Sequence, residues 1–106
     1  MGSLEIELKI LVDSIEHNYH PEKIILFGSL AAGRATKGSD IDIVVIKDTD
    51  KDPWSRSEEV DRYIRHVVPV DVLVYTPREI LERLSINDLF VKEIMEKGKV
   101  LYERRI

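Results

Sequence analysis

Three carboxylates and a Gly-Ser pair are the residues here whose types and spacing could do chemistry together. Asp40 and Asp42 stand two apart at the head of the run DIDIVVI. A strand points residues i and i+2 to the same face, so the two carboxylates project side by side while Ile41 and Ile43 point the other way. Two such charges in a partly dehydrated site repel strongly. The natural neutraliser is a hard divalent cation such as Mg²⁺, which takes one or two carboxylates together with substrate phosphates. Gly28-Ser29 closes an earlier apolar run, Ile24 to Phe27, at a predicted strand-to-helix passage. Backbone N–H groups and a helix dipole at such a point hold a phosphate. Glycine lets the backbone come close, and the serine hydroxyl adds a donor. Phosphate cradle and metal carboxylates on neighbouring turns point to nucleoside triphosphate chemistry. Asp71 interrupts the β-branched run VPVDVLVY. It reads either as a third carboxylate facing the first two from a neighbouring strand, or as an edge-strand residue turned to water.

Gly28-Ser29, ten intervening residues and then Asp40-Ile41-Asp42 together resemble the signature of the DNA polymerase beta-like nucleotidyltransferase superfamily, and in particular its smallest members, the minimal nucleotidyltransferases. The resemblance implies a single α/β (α+β) nucleotidyltransferase domain over residues 1–106, with a central mixed β-sheet flanked by helices. It implies Asp40, Asp42 and Asp71 as catalytic residues and metal ligands for two Mg²⁺ ions, and Gly28, Ser29 and Ser39 as nucleotide-binding residues, with ATP as substrate. It further implies transfer of AMP to a hydroxyl. By the same resemblance the acceptor is a tyrosine of a helical toxin of the HEPN (higher eukaryote and prokaryote nucleotide-binding) class, this chain being the antitoxin. Two other readings stay open: the catalytic subunit of a split small-molecule nucleotidyltransferase, or a non-catalytic module that neutralises its partner by contact. One departure stands out. Relatives often carry arginines where this chain has Leu30 and Ala32; Arg34 and Lys37 are the nearby basic residues.

Composition narrows the function classes. At 106 residues the chain suffices for one core and not for two. No residues are then left for an acceptor-binding domain, so that surface is expected from a second copy or another protein. Cysteine is absent, which removes disulfides and thiolate metal sites. The net charge of −4 argues against a nucleic-acid acceptor, since such proteins show a strongly basic surface. No apolar run has the length of a membrane span and no signal peptide is evident, so the cytoplasm is the expected location.

The positioning elements follow from periodicity. Leu4, Leu8, Leu11, Val12 and Ile15 predict a first helix ending near Asn18. His17 and His20, at its end, read as surface residues. Lys23 to Phe27 predicts a strand covered on both faces. Leu30 to Ala35 predicts a short helix, and Asp40 to Lys47 the carboxylate strand. The acidic segment Lys47 to Asp52 reads as a solvated loop. Asp52-Pro53 opens a helix to about His66, with Trp54, Val60, Tyr63 and Ile64 expected inward. Val68 to Tyr75 predicts the Asp71 strand. Thr76-Pro77-Arg78-Glu79 is a capping box for a helix to about Leu84. Ser85 to Asp88 opens another helix, with a stripe from Leu89 to Met95 expected in the core and Gly98 at its C′ position. Val100 to Tyr102 predicts a last strand.

Overall fold

The computed structural model describes residues 3–33, 40–64 and 69–105, the side chains of Ser3 and Ser29 excepted. The elements run α1 (Ser3–Tyr19), β1 (Lys23–Phe27), α2 (Gly28–Ala31), β2 (Ile41–Ile46), α3 (Pro53–Asp61), β3 (Val70–Tyr75), α4 (Pro77–Ser85), α5 (Leu89–Lys97) and β4 (Lys99–Glu103). The strands form one mixed sheet in the order β3-β2-β1-β4. β1 is antiparallel to both β2 and β4, and β2 runs parallel to β3. This is the mixed sheet flanked by helices that the sequence predicts. Among the described residues, no helix is long and apolar enough to cross a membrane.

Strand alternation divides the core into two layers. Ile24 and Leu26 of β1, with Ile41, Ile43 and Val45 of β2, face α1 and α3, where Leu11, Ile15, Tyr19, Val60 and Ile64 meet them. Ile25, Val44 and Ile46 face the other way, onto Ile80 of α4 and Val91 and Ile94 of α5. β1 is therefore covered on both sides, which explains its nearly continuous apolar sequence. On the β3 edge, by contrast, Asp71 and Leu73 remain exposed. The α4–α5 side of the sheet is thus open at that edge.

Local signals explain the helix starts. The Asp52 side chain accepts from Ser55 N and caps α3, with Pro53 in the first turn. Thr76 and Glu79 form the predicted capping box of α4. The Asp88 carboxylate accepts from the N–H groups of Phe90 and Val91.

Three expectations change. Trp54 is 83 % exposed, whereas Arg56 is buried at 6 %. Arg56 takes the inward position because its guanidinium donates to Lys51 O at 2.6 Å, to Val74 O at 3.3 Å and to Glu79 Oε1 at 2.8 Å. The Leu89–Met95 stripe is core only in part: Val91 and Ile94 are buried, while Leu89 and Phe90 stand in solvent. Gly98 is extended at φ −66°, ψ 155°, so no left-handed cap calls for glycine there. The reason is space: a Cβ would run into Ile94 O and come within 2.5 Å of Ile25 Cγ2.

Candidate active site

The start of β2 sets Asp42 between an acidic and an aromatic neighbour. Asp42 is the Cα partner of Asp71 across the parallel β2–β3 pair and of Phe27 across the antiparallel β1–β2 pair. Directly paired residues point to the same face of a sheet. Asp42 and Asp71 therefore converge, on the face that α4 and α5 only partly cover. Asp40 stands just ahead of the strand and is exposed, while Asp42 is half-buried. The observed strand begins at Ile41, one residue later than predicted.

The electrostatics agree with this geometry. Burial pushes the Asp42 carboxyl above the ordinary carboxylate range; the charge of Asp71, a hydrogen bond with the Asp71 carboxyl and the charge of Asp40 push it the same way. No cation among the described residues offsets these effects. The pair Asp42–Asp71 is thus close, and Asp40 adds a weaker field. Among the described residues, no group of three carboxylate or imidazole side chains is gathered into a finished metal cage. The donor set nevertheless fits Mg²⁺, a hard ion that binds through one or two carboxylates and completes its shell with phosphate and water oxygens.

Gly28 forms the next wall. It follows Phe27, takes φ +76° and opens α2. A Cβ built on it would lie 2.5 Å from Asp42 Oδ2 and 3.3 Å from Asp42 Cγ. The residue is glycine for two reasons at once: its backbone conformation, and its close approach to a carboxylate. α2 is a single turn, from Gly28 to Ala31, where Leu30 to Ala35 is the predicted span. Such a short helix carries little macrodipole, so a phosphate there would be held by local N–H groups. Ser29 follows Gly28 in α2. Ser39, Arg34 and Lys37 lie outside the described residues. Leu30, at one of the positions where arginine is common, packs against the α1–α3 core layer.

A cavity of about 520 Å³ adjoins Gly28 on the side away from Asp71, with Phe27 and Phe90 in its wall. Sequence reasoning assigned Phe90 to the core and gave Phe27 no role beyond ending a strand. The signal available was that Val91 and Ile94 alone satisfy the buried spacing of α5, which leaves Phe90 off the stripe.

The family model described as "Polymerase beta, Nucleotidyltransferase" matches residues 9–106. The chain belongs to this nucleotidyltransferase family. It is 34% identical over 100 residues to "Putative protein adenylyltransferase MJ0604" of Methanocaldococcus jannaschii, covering 92% of this chain and 97% of that protein. It is 33% identical over 93 residues to "Putative protein adenylyltransferase MJ1379" of the same organism, covering 87% and 83%. A crystal structure of "a putative nucleotidyltransferase from Sulfolobus solfataricus" shares the fold, with a TM-score of 0.64 at 23% identity over 98% of this chain and 91% of that one. The enzyme is accordingly a nucleotidyltransferase of the polymerase beta-like fold, as the Gly-Ser and Asp-x-Asp motifs suggest.

Proposed function

We propose that this nucleotidyltransferase moves AMP from ATP to a hydroxyl of another protein, a tyrosine of a HEPN-type toxin, and thereby acts as an antitoxin. The observation that carries the transfer chemistry is the pairing of Asp42 with Asp71 against the Gly28 backbone. The two relatives named as protein adenylyltransferases, each at about one third identity, support a protein acceptor.

Each residue takes a defined task. Two bound Mg²⁺ ions would neutralise the triphosphate and polarise the reacting oxygens. Asp42 and Asp71 hold them, with Asp40 completing the acidic rim. Gly28 and Ser29 seat the β- and γ-phosphates close to Asp42. The acceptor oxygen bonds to the α-phosphorus, and the bond from that phosphorus to the bridging oxygen of the β-phosphate breaks. Pyrophosphate leaves with the electron pair, and the hydroxyl proton passes to Asp71. Asp71 lies on the open edge strand, where a macromolecular acceptor has access. Catalysis on this account consists of positioning and charge neutralisation.

The test uses ATP labelled at the α-phosphate, Mg²⁺ and a helical HEPN-type protein offered as acceptor. Label is expected on one tyrosine of that protein and lost with Asp42→Asn. Label on a small molecule instead would transfer the proposal to the split-enzyme reading. A stable complex without label would reject protein adenylylation of that partner.

A further inference from the structure

We propose that Phe90 is a positioning residue for the reaction: its ring braces Phe27, and Phe27 keeps the Asp42 carboxylate from swinging away from Asp71. This rests on the reading of Asp42 and Asp71 as the metal-binding pair. The register sets Phe27, Asp42 and Asp71 in one row across β1, β2 and β3. The row lies on the face that carries α4 and α5, because Ile41 and Ile43 of β2 and Val70 and Val72 of β3 belong to the opposite layer. Directly opposed residues of an antiparallel pair have Cβ atoms about 4.5–5.5 Å apart, so the Phe27 side chain stands beside that of Asp42.

The forces on Asp42 are one-sided. When both carboxylates are ionised, Asp71 repels Asp42 toward β1, the neighbour on its other side. The Gly28 backbone closes a second direction, since a Cβ there would stand 2.5 Å from Asp42 Oδ2. The way left open is toward Phe27. An aromatic ring blocks that way without bringing a positive charge, which would compete with a metal ion for the carboxylate. A smaller side chain would let the carboxylate retreat from Asp71 and split the pair.

Phe27 is only half-buried, at the end of its strand, and its support comes from α5. Phe90 meets it edge to face, with centroids 5.8 Å apart and planes at 87°, an arrangement that aromatic pairs favour. The backbone of Phe90 is itself anchored. The Asp88 carboxylate accepts from Phe90 N at 3.0 Å and from Val91 N at 3.1 Å, and Arg83 pairs with that carboxylate at 3.3 Å. Val91 and Ile94, both buried, fix α5 to the sheet. Phe90 is 47 % exposed, so burial in the core does not account for a ring at this place. The contact with Phe27 does.

The test titrates Mn²⁺ into the intact metal-free chain, reads free Mn²⁺ by paramagnetic resonance and counts only the binding lost in Asp42→Asn. The rate of label transfer at saturating ATP is measured beside it. Phe90→Ala is expected to weaken that Mn²⁺ affinity about fivefold and to slow transfer about tenfold, less than the roughly 100-fold of a 1 Å misplacement, with KM for ATP within about twofold. Phe90→Tyr, which keeps the ring, and Leu89→Ala, an exposed neighbour on α5, are expected to stay within about twofold of wild type in both readouts. In a Phe27→Leu background, Phe90→Ala is expected to add no more than about twofold, since a residue acting through another is not additive with it. Unchanged Mn²⁺ affinity in Phe90→Ala, or losses that multiply with those of Phe27→Leu, would overturn the brace. Wild-type Mn²⁺ binding that survives intact in Asp42→Asn would overturn the metal reading of Asp42 itself, a separate failure.

Discussion

Replacing Gly28 by alanine isolates the contact on which the site depends. The new Cβ would stand 2.5 Å from Asp42 Oδ2, and ordinary contact begins at 3.4 Å, so the carboxylate must retreat by about 0.9 Å. Misplacement of a reacting group by about 1 Å costs on the order of 100-fold in rate. Alanine at φ +76° also carries a backbone penalty of roughly 1–2 kcal/mol. Gly33 supplies the control, because it has φ +74° and nothing within 4 Å of a built Cβ. Gly28→Ala and Gly33→Ala should therefore lose similar stability in urea denaturation, roughly 1–2 kcal/mol each. In the labelled-ATP transfer assay only Gly28→Ala should lose about 100-fold. Equal transfer losses in the two variants, or a Gly28→Ala enzyme within about threefold of wild type, would refute the claim that the Gly28 backbone sets the position of a catalytic carboxylate.

Further outcomes follow from the charged residues. Asp42 is raised by burial and by its acidic neighbours, so the native protein binds more protons than the unfolded chain above the ordinary aspartate range. Without divalent cation, stability should fall as pH rises through that window. Asp42→Asn should flatten the slope and raise the melting temperature of the metal-free protein at neutral pH, while transfer drops by about 10³-fold. Arg56→Ala strands Lys51 O, Val74 O and Glu79, and should cost about 2–3 kcal/mol in denaturation, below the range for fully buried pairs because Glu79 is partly exposed. Burial alone would raise the Glu79 carboxyl, but hydrogen bonds from Arg56 and the Thr76 N–H and the charge of Arg56 outweigh it and hold it low. Its stabilisation is present above the ordinary glutamate range and is lost as pH falls through the lowered value, so Arg56→Ala should shrink that acid-side loss. Trp54→Ala, at an 83 % exposed position, should change stability by no more than about 0.5 kcal/mol.

The parts of this site that were legible in the sequence are those written in local pattern. Lys23–Phe27 was predicted with its observed bounds, because an apolar run between a proline turn and a Gly-Ser has one reading. The i, i+2 spacing of the aspartates and the lone acid in a β-branched run pointed to Asp42 and Asp71, and their registration on adjacent strands is the tertiary fact that joins them. Trp54 was misplaced because hydrophobicity alone put it inward. Arg56 and Val60, four apart, own the inner face of α3, and Trp54 lies roughly 200° around the helix from Arg56. An arginine with three acceptors, two of them distant in sequence, outcompetes an indole for that place, and no local pattern announces Val74 O or Glu79. The outward position of Phe90 was hidden for a similar reason. Its exposure depends on where α5 crosses β1, beside a cavity whose far wall is Gly28.

The most direct test of nucleotidyl transfer at Asp42 and Asp71 is the stoichiometry of the leaving group. With ATP, Mg²⁺ and an acceptor, the account predicts one pyrophosphate released for each AMP attached, with both signals abolished in Asp42→Asn and in Asp71→Asn. Release of inorganic phosphate with ADP, or pyrophosphate release that survives Asp42→Asn, would contradict it.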